Sequence, residues 1–212
     1  MINVRTAVPL LVSLALLGCS KEGELTGAGM TIVRSACPAV AIPASTGDIT
    51  LFDPPSSRDA SAIDVIAIMT NVRGTCTEQG EQLLTGATFD ILGQRRDARG
   101  ARDVVVPYFA TVVQGGSNVV AKRIGRVSLH FADGEYRASS AGSANAQVLR
   151  SAATLPQEIR REITRRRKPG DVNAALDPMA DPKVRAAVTR ASFELLVGFQ
   201  LTSDQLAYNA TR

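Results

Sequence analysis

The 212-residue chain has few of the side chains on which enzyme chemistry most often depends. It contains one histidine, three cysteines and no tryptophan, and aromatic residues make up 4% of it. A single imidazole excludes a histidine-rich metal centre. The sequence also lacks a phosphate-binding loop, a zinc-protease motif and a Cys-x-x-Cys pair. It therefore predicts no enzymatic activity, no cofactor and no metal.

Positive and negative side chains are nearly balanced. The chain has 24 Lys and Arg against 20 Asp and Glu, which gives a formal net charge of +4. This excess is too small to indicate nucleic-acid binding. Hydrophobic residues make up 45% of the chain, which is enough to form a globular core.

A short apolar run follows a basic N-terminus. Arg5 precedes the run at residues 7–17, and Gly18 and Cys19 follow it. The run covers about 11 residues, fewer than the roughly 20 that cross a bilayer as a helix. It therefore predicts a signal peptide rather than a membrane span. The alternative is a short helix buried in the core.

The end of this run, Leu16-Leu17-Gly18-Cys19, resembles the lipobox of bacterial lipoproteins. The resemblance implies that residues 1–18 are removed and that acyl chains, palmitate among them, are attached to Cys19. Two or more such chains anchor a protein almost permanently. In the enteric form of the family's sorting rule, Asp after the lipidated Cys retains the protein at the inner membrane. Ser20 at that position implies the outer membrane, with the protein on its periplasmic face.

Residues 19–31 are then the lipidated N-terminus and a flexible tether, because they contain too few apolar residues to pack. Lipid on Cys19 leaves Cys37 and Cys76 as the remaining thiols. An envelope protein with two thiols usually pairs them, so a disulfide is predicted. It would close a loop of about 40 residues and stabilise the fold by roughly 4 kcal/mol in the chain-entropy model. Two free buried thiols are the alternative.

Residues 32–149 predict a β domain. Segments 103–113 and 119–131 flank a glycine-rich connection at 114–118, a pattern typical of a hairpin, with Val127, Leu129 and Phe131 on its core side. Pro107 predicts a bulge or an edge. Further short strands are predicted at 40–43, 48–52, 64–72 and 85–92, which places Cys76 just after the third. The count and spacing favour an antiparallel β-sandwich of the immunoglobulin or fibronectin kind.

Residues 150–212 predict a basic helical extension. Leu155, Ile159 and Ile163 form a narrow apolar stripe on a helix that Thr154 begins and Pro169-Gly170 ends. Its other faces carry six basic residues: Arg160, Arg161, Arg165, Arg166, Arg167 and Lys168. A second helix is predicted from Asp181-Pro182, with an apolar face formed by Val184, Val188, Ala191, Leu195 and Phe199.

The basic helix is the candidate binding site. Anions of the periplasm include lipid headgroups, lipopolysaccharide phosphates, peptidoglycan carboxylates and acidic proteins. The alternative is a solvated helix face on which Glu162 pairs with Arg165 or Arg166. His130 lies on the outer side of its strand, where a solvated or hydrogen-bonded role is expected rather than a catalytic one.

The central part of the chain carries four short motifs: Cys37-Pro38, Cys76, Pro107-Tyr108-Phe109 before Val112-Val113, and Ala121-Lys122-Arg123. This pattern resembles small alphaproteobacterial envelope lipoproteins over about half of the chain. The resemblance assigns no functional residue, and the helical tail lies outside it.

The sequence thus predicts a non-enzymatic outer-membrane lipoprotein that acts as a structural, assembly or interaction module with an envelope protein partner. The alternative is electrostatic binding of anionic lipid, lipopolysaccharide or peptidoglycan through the basic helix. An enzyme of unknown reaction is the third hypothesis. The periplasmic address excludes nucleic acid as a partner.

Overall fold

The computed structural model describes residues 35–165 and 176–211. Within these residues, eight strands form two four-stranded sheets with the hydrophobic core between them. Neighbouring strands are antiparallel except for one parallel pair. The predicted antiparallel β-sandwich is confirmed.

The strands are β1 Ala39–Ala41, β2 Asp48–Phe52, β3 Ile63–Gln79, β4 Gln82–Arg95, β5 Arg102–Gln114, β6 Asn118–Phe131, β7 Arg137–Leu149 and β8 Phe193–Phe199. The helices are α1 Arg150–Ala153, α2 Gln157–Thr164, α3 Pro182–Arg190 and α4 Ser203–Thr211. Sheet 1 has the strand order β1-β8-β5-β6, in which β1 and β8 are the parallel pair. Sheet 2 has the order β2-β3-β4-β7.

The predicted hairpin is formed by β5 and β6. Gly115 and Gly116 in its connection have φ values of 65° and 80°, which non-glycine residues rarely adopt. On β6, Val127, Leu129 and Phe131 are buried in the core as expected. The alternation of apolar and polar residues therefore identified the inner face of this strand correctly.

Pro107 lies in β5, an interior strand, one residue before the pairing with β8 begins, so neither the predicted bulge nor an edge strand is found there. Pairing between β5 and β8 begins at Tyr108, so Pro107 faces the residues that follow β8, and its carbonyl oxygen accepts a hydrogen bond from the Gln200 N–H. A proline in a strand is tolerated where its missing N–H would face no ladder partner. The register shift of this strand lies elsewhere, between Val112 and Val113.

Sheet 2 differs from the sequence prediction in two respects. β3 is longer than predicted and runs through Cys76, which therefore lies within the strand and not after it. β7 was not predicted, because its alternating residues are mostly alanine, serine and glycine and give a weak hydrophobic signal. The small residues are required by packing: a Cβ on Gly142 would lie 2.2 Å from the Phe89 ring.

The predicted second helix is wrong beyond Arg190. Asp181 caps α3 as expected, with its carboxylate accepting a hydrogen bond from the Lys183 N–H. However, Leu195 and Phe199 belong to β8, which pairs with β1 on one side and β5 on the other. A spacing of four residues is compatible with one face of a helix and also with one face of a strand. Hydrogen bonding to neighbouring strands therefore decides which of the two this segment forms. The segment assigned to the helical extension thus supplies an interior strand of sheet 1.

The Cys37–Cys76 disulfide is present, with the two Cα atoms 6.0 Å apart. It joins the segment leading into β1 of sheet 1 to β3 of sheet 2. A Cβ on Gly74 would lie 2.7 Å from the Val40 side chain, so β1 and β3 also approach closely beside the bridge. The predicted disulfide is confirmed, and it fastens the two sheets to each other at one edge.

Arg95, the last residue of β4, is a buried cation. Its side chain is 2% exposed and lies 5.3 Å from the centroid of the Phe131 ring. The guanidinium donates hydrogen bonds to four backbone carbonyl groups, those of Ala98, Gly100, Ala132 and Glu135. One side chain therefore holds both the β4–β5 and the β6–β7 connections.

Candidate interaction surfaces

The basic segment is a short helix with an irregular continuation. α2 ends at Thr164, and Arg165 has extended backbone angles, so the helix stops before the predicted Pro169-Gly170. Thr154 does not cap it: the Thr154 hydroxyl donates to the Arg150 carbonyl, and Pro156 occupies the cap position. Arg166, Arg167 and Lys168 lie outside the described residues, as do Cys19 and the predicted signal peptide.

The described basic residues of this segment face solvent. Arg160, Arg161 and Arg165 are exposed, whereas the predicted stripe of Leu155, Ile159 and Ile163 is half-buried. α2 lies against α3 and the turn Pro178–Ala180, which accounts for that stripe. Among the described residues, no ion pair joins these arginines to Glu158 or Glu162. Their exposure leaves the guanidinium groups accessible to solvent.

His130 lies on the outer face of sheet 1 and is hydrogen-bonded, as predicted. Its Nδ1 is 2.9 Å from Oδ1 of Asp103, and both side chains are more than 60% exposed. In the described chain Ser128, on the same face, makes no hydrogen bond to this pair. The arrangement is a surface His–Asp pair without a nucleophile in contact with it.

Sequence reasoning missed a second surface, on β6. This strand is the outermost one of sheet 1, and residues 118–124 are exposed on both faces. Val119, Val120 and Ile124 in this half have exposed fractions of 59%, 54% and 53%. Three exposed aliphatic residues in half of one strand are more than the isolated ones that most surfaces carry.

The backbone of β6 presents free hydrogen-bonding groups along its outer side. Pro107 lies opposite Arg126, and the Pro107 carbonyl points away from β6, toward Gln200. Opposed residues of an antiparallel pair direct their N–H and C=O groups either toward each other or both away. Those of Arg126 therefore point away from β5, and alternation gives the same direction to Lys122, Ile124, Ser128 and His130. We call these five residues the β6 edge.

No described residue forms a ladder with the β6 edge, although β7 lies beside it. β6 pairs with β5 alone, and the described hydrogen bonds include none to the outward backbone groups of these five residues. The neighbouring β7 is the outermost strand of sheet 2, but the two strands do not form a ladder. Instead, the Tyr108 hydroxyl reaches from β5 to the Ser143 carbonyl of β7 and closes this side of the core.

This side of the sandwich is also basic. β6 and β7 together contain Lys122, Arg123, Arg126 and Arg137, and neither strand contains an acidic residue. The sequence signal was the Lys122-Arg123-Ile124 stretch, in which the alternation seen at Val127, Leu129 and Phe131 is lost. A strand that stops alternating before it ends indicates that one of its faces has lost contact with the core.

The concave features of the described surface are slight. A shallow depression on the outer face of sheet 2 is lined by Asp90, Leu92, Ser139, Ser140 and Ala141, with one ionisable group among them. In the part of the chain that the structure describes, no three His, Cys, Asp or Glu side chains are grouped so as to hold a metal. None of the described helices is long and apolar enough to cross a membrane.

Comparison with known proteins identifies no family for this chain. No protein-family model matches the chain, and no curated protein or solved structure is detectably similar to it.

Proposed function

We propose that this chain is a lipid-anchored β-sandwich on the periplasmic face of a bacterial outer membrane, where it acts as an interaction or assembly module. The observation that carries the proposal is the Cys37–Cys76 disulfide. Structural disulfides persist in oxidising compartments such as the periplasm. The bridge therefore agrees with the export signal at residues 1–18 and with the lipobox that ends at Cys19.

The described surface supports a binding role in preference to catalysis. Its exposed features are an unpaired strand edge and a set of solvated arginines, which suit contacts with an extended or charged partner. Catalytic sites are usually concave and bring several perturbed ionisable groups together. The depression beside Asp90 contains one ionisable side chain.

Anchoring is tested by replacing the predicted lipidation site. Cys19→Ser should abolish labelling by a palmitate analogue and remove the protein from the outer-membrane fraction, because a serine cannot carry the thioether-linked lipid. The matched control is the double variant Cys37→Ser with Cys76→Ser, which makes the same substitution at the disulfide. It should keep the label and the membrane fraction. Full labelling of Cys19→Ser would refute the proposal.

Sorting is tested at the next residue. Ser20→Asp should move the protein from the outer-membrane to the inner-membrane fraction on a density gradient, in accordance with the sorting rule that the lipobox resemblance implies. Ser20→Asn is a control of similar size without the charge. An unchanged outer-membrane fraction for both variants would show that this rule does not govern the chain.

A second candidate function is electrostatic binding of an anionic envelope component through the basic segment. It is favoured by the exposure of Arg160, Arg161 and Arg165 and by the lack of an ion pair to Glu158 or Glu162 among the described residues. Each basic residue near an anionic membrane contributes about 1 kcal/mol to binding, and salt screens the contribution.

Vesicle flotation of the unacylated chain, residues 20–212, separates this function from the first. Arg160→Glu with Arg161→Glu should abolish binding to vesicles that contain phosphatidylglycerol. Lys183→Glu with Arg185→Glu makes the same charge change on the exposed face of α3 and should leave binding in place. Binding that persists in both variants, or that does not weaken with salt, would contradict a role for the basic segment.

A further inference from the structure

We propose that the β6 edge receives an acidic, extended segment of another envelope protein, which adds to sheet 1 as a fifth strand. The inference rests on the proposed role as an interaction module and assigns that role a site and a partner chemistry. Strand addition takes most of its affinity from backbone hydrogen bonds and its specificity from alternate side chains. Both features can be traced on β6.

The backbone supplies the attachment. Lys122, Ile124, Arg126, Ser128 and His130 direct their N–H and C=O groups away from β5, and no described residue bonds to them. β6 is 14 residues long, whereas edge strands that proteins protect are often short. An incoming strand would find a ladder partner at every second residue over 122–130.

The side chains define the partner. The β6 edge places Lys122, Ile124 and Arg126 in a row on the outer face, with an aliphatic residue between two cations. Directly opposed side chains on neighbouring strands lie close enough to form ion pairs and apolar contacts. The complementary strand therefore carries acidic, apolar and acidic residues at successive alternate positions. Arg123, on the opposite face of β6, adds to the preference for an acidic segment.

The same charges disfavour a second copy of this chain as the occupant. Antiparallel pairing of two β6 strands centred on Ile124 would place Lys122 opposite Arg126 at both ends of the contact. Like charges directly opposite one another destabilise a strand pair. Neither β6 nor β7 offers a carboxylate that could compensate. The basic edge thus repels its own copies while it accepts an acidic strand.

The test uses the full chain in neutral detergent micelles and three fluorescent nonapeptides, with binding measured by anisotropy. The first, the Glu–Val peptide, is Glu-Ser-Val-Ser-Glu-Ser-Val-Ser-Glu, which places Glu and Val at successive alternate positions. The second, the Lys–Val peptide, replaces each Glu by Lys, and the third repeats the Glu–Val peptide with N-methylated amides at its Glu and Val residues. The first should bind with an affinity at least about tenfold higher than the other two. The methylated peptide keeps the charge but cannot form one side of a ladder, so equal binding would indicate attraction without strand addition.

Ile124→Pro tests the backbone contribution. Its N–H faces the free edge, so the substitution removes an attachment point and leaves the β5–β6 ladder intact. It should weaken binding of the Glu–Val peptide by about tenfold. The matched control is Val105→Pro on β5. Val105 is 54% exposed and lies opposite Ser128, so its N–H also points away from the β5–β6 ladder, but on the other side of the hairpin. This control should bind like the unmodified protein.

Lys122→Glu with Arg126→Glu tests the charge contribution. The double variant should lose the Glu–Val peptide and gain the Lys–Val peptide. Near-ultraviolet and far-ultraviolet circular dichroism spectra identical to those of the unmodified protein would show that Ile124→Pro and the double variant keep the fold.

Three results would overturn the inference: equal affinity for the three peptides, unchanged affinity in Ile124→Pro, or sedimentation showing that a second copy occupies the edge. Preference for vesicles containing phosphatidylglycerol over the Glu–Val peptide would also overturn it, because the surface would then be a lipid site. The peptide assay does not depend on the membrane, so its failure is distinguishable from failure of the anchoring test at Cys19.

Discussion

Arg95 shows how this fold accommodates a charge in its interior without a carboxylate. The guanidinium is surrounded by carbonyl oxygens, and these belong to two connections that are distant in sequence. Five donors in a rigid planar group suit such a task better than the single ammonium of lysine. Arg95 therefore acts as the structural centre of this end of the sandwich.

Arg95→Met should lower the free energy of unfolding by about 3–5 kcal/mol, because it leaves several buried carbonyl groups without a donor. Urea denaturation measures the change. Arg96→Met is the matched control, since Arg96 is exposed and should alter stability by less than about 0.5 kcal/mol. A loss no larger than that of the control would show that the loops do not depend on the guanidinium.

The pH dependence of stability should include a small contribution from Asp97. Hydrogen bonds and charge from the Arg99 guanidinium hold the pKa of the Asp97 carboxyl well below its ordinary value. A carboxyl whose pKa is lowered by folding stabilises the protein above the unfolded-state pKa, and this contribution is lost as the pH falls. In Asp97→Asn, the acid side of the stability profile should therefore be less steep. NMR titration of the carboxyl measures the pKa directly, and an ordinary value would contradict the expected pairing.

At the scale of elements, the sequence predicted those strands whose faces differ clearly in polarity. β6 is such a strand over Val127, Leu129 and Phe131. β7 was missed because Phe89 and Tyr108 fill the core above it and leave room for small side chains. β8 was assigned to a helix because the hydrophobic pattern of a short apolar run does not decide between a strand and a buried helix. Its partners, β1 and β5, are distant in sequence and carry the missing information.

The same limit applied to the candidate surfaces. Basic residues in the 160–168 segment are visible as composition, so that surface was predicted. The β6 edge depends on which side of each residue the backbone groups point and on which strand ends the sheet, and neither property is local. The disulfide was predictable because the two cysteines that remain after the predicted lipidation site have one possible pairing.

The disulfide should stabilise the arrangement of β1 over β3. Cys37→Ala with Cys76→Ala is expected to lower the free energy of unfolding by roughly 4 kcal/mol, because the unfolded chain regains the entropy of a loop spanning 39 residues. Urea denaturation under non-reducing conditions measures this loss. The hairpin of β5 and β6 should persist in the variant, which amide hydrogen exchange can follow. Equal stability of variant and parent would show that packing alone fixes β1.

For the whole molecule, the interior position of β8 determines what can fold alone. A fragment that ends at Leu149 keeps seven of the eight described strands, but it lacks the strand that pairs with both β1 and β5. It would expose the inner face of β5 and the side of the core that Leu195, Val197 and Phe199 fill. We therefore expect the 1–149 fragment to fail to fold in circular dichroism and amide exchange, although a fragment ending at Phe199 should form the sandwich. Cooperative unfolding of the shorter fragment would contradict this expectation.

Because β8 lies between β1 and β5, the order in which sheet 1 is completed is also determined. The β1–β8 contact joins Ala39 to Glu194. β1, the first described strand in the sequence, can therefore pair with β8 only after this last described strand has been synthesised. Contacts at such separation slow folding, since the loop must close before the contact stabilises it. Sheet 2, by contrast, is complete in sequence at Leu149. Its inner face, however, has no completed sheet 1 to pack against, so we expect a growing chain to remain unfolded until β8 is available, which gives a chaperone a long interval in which to bind it.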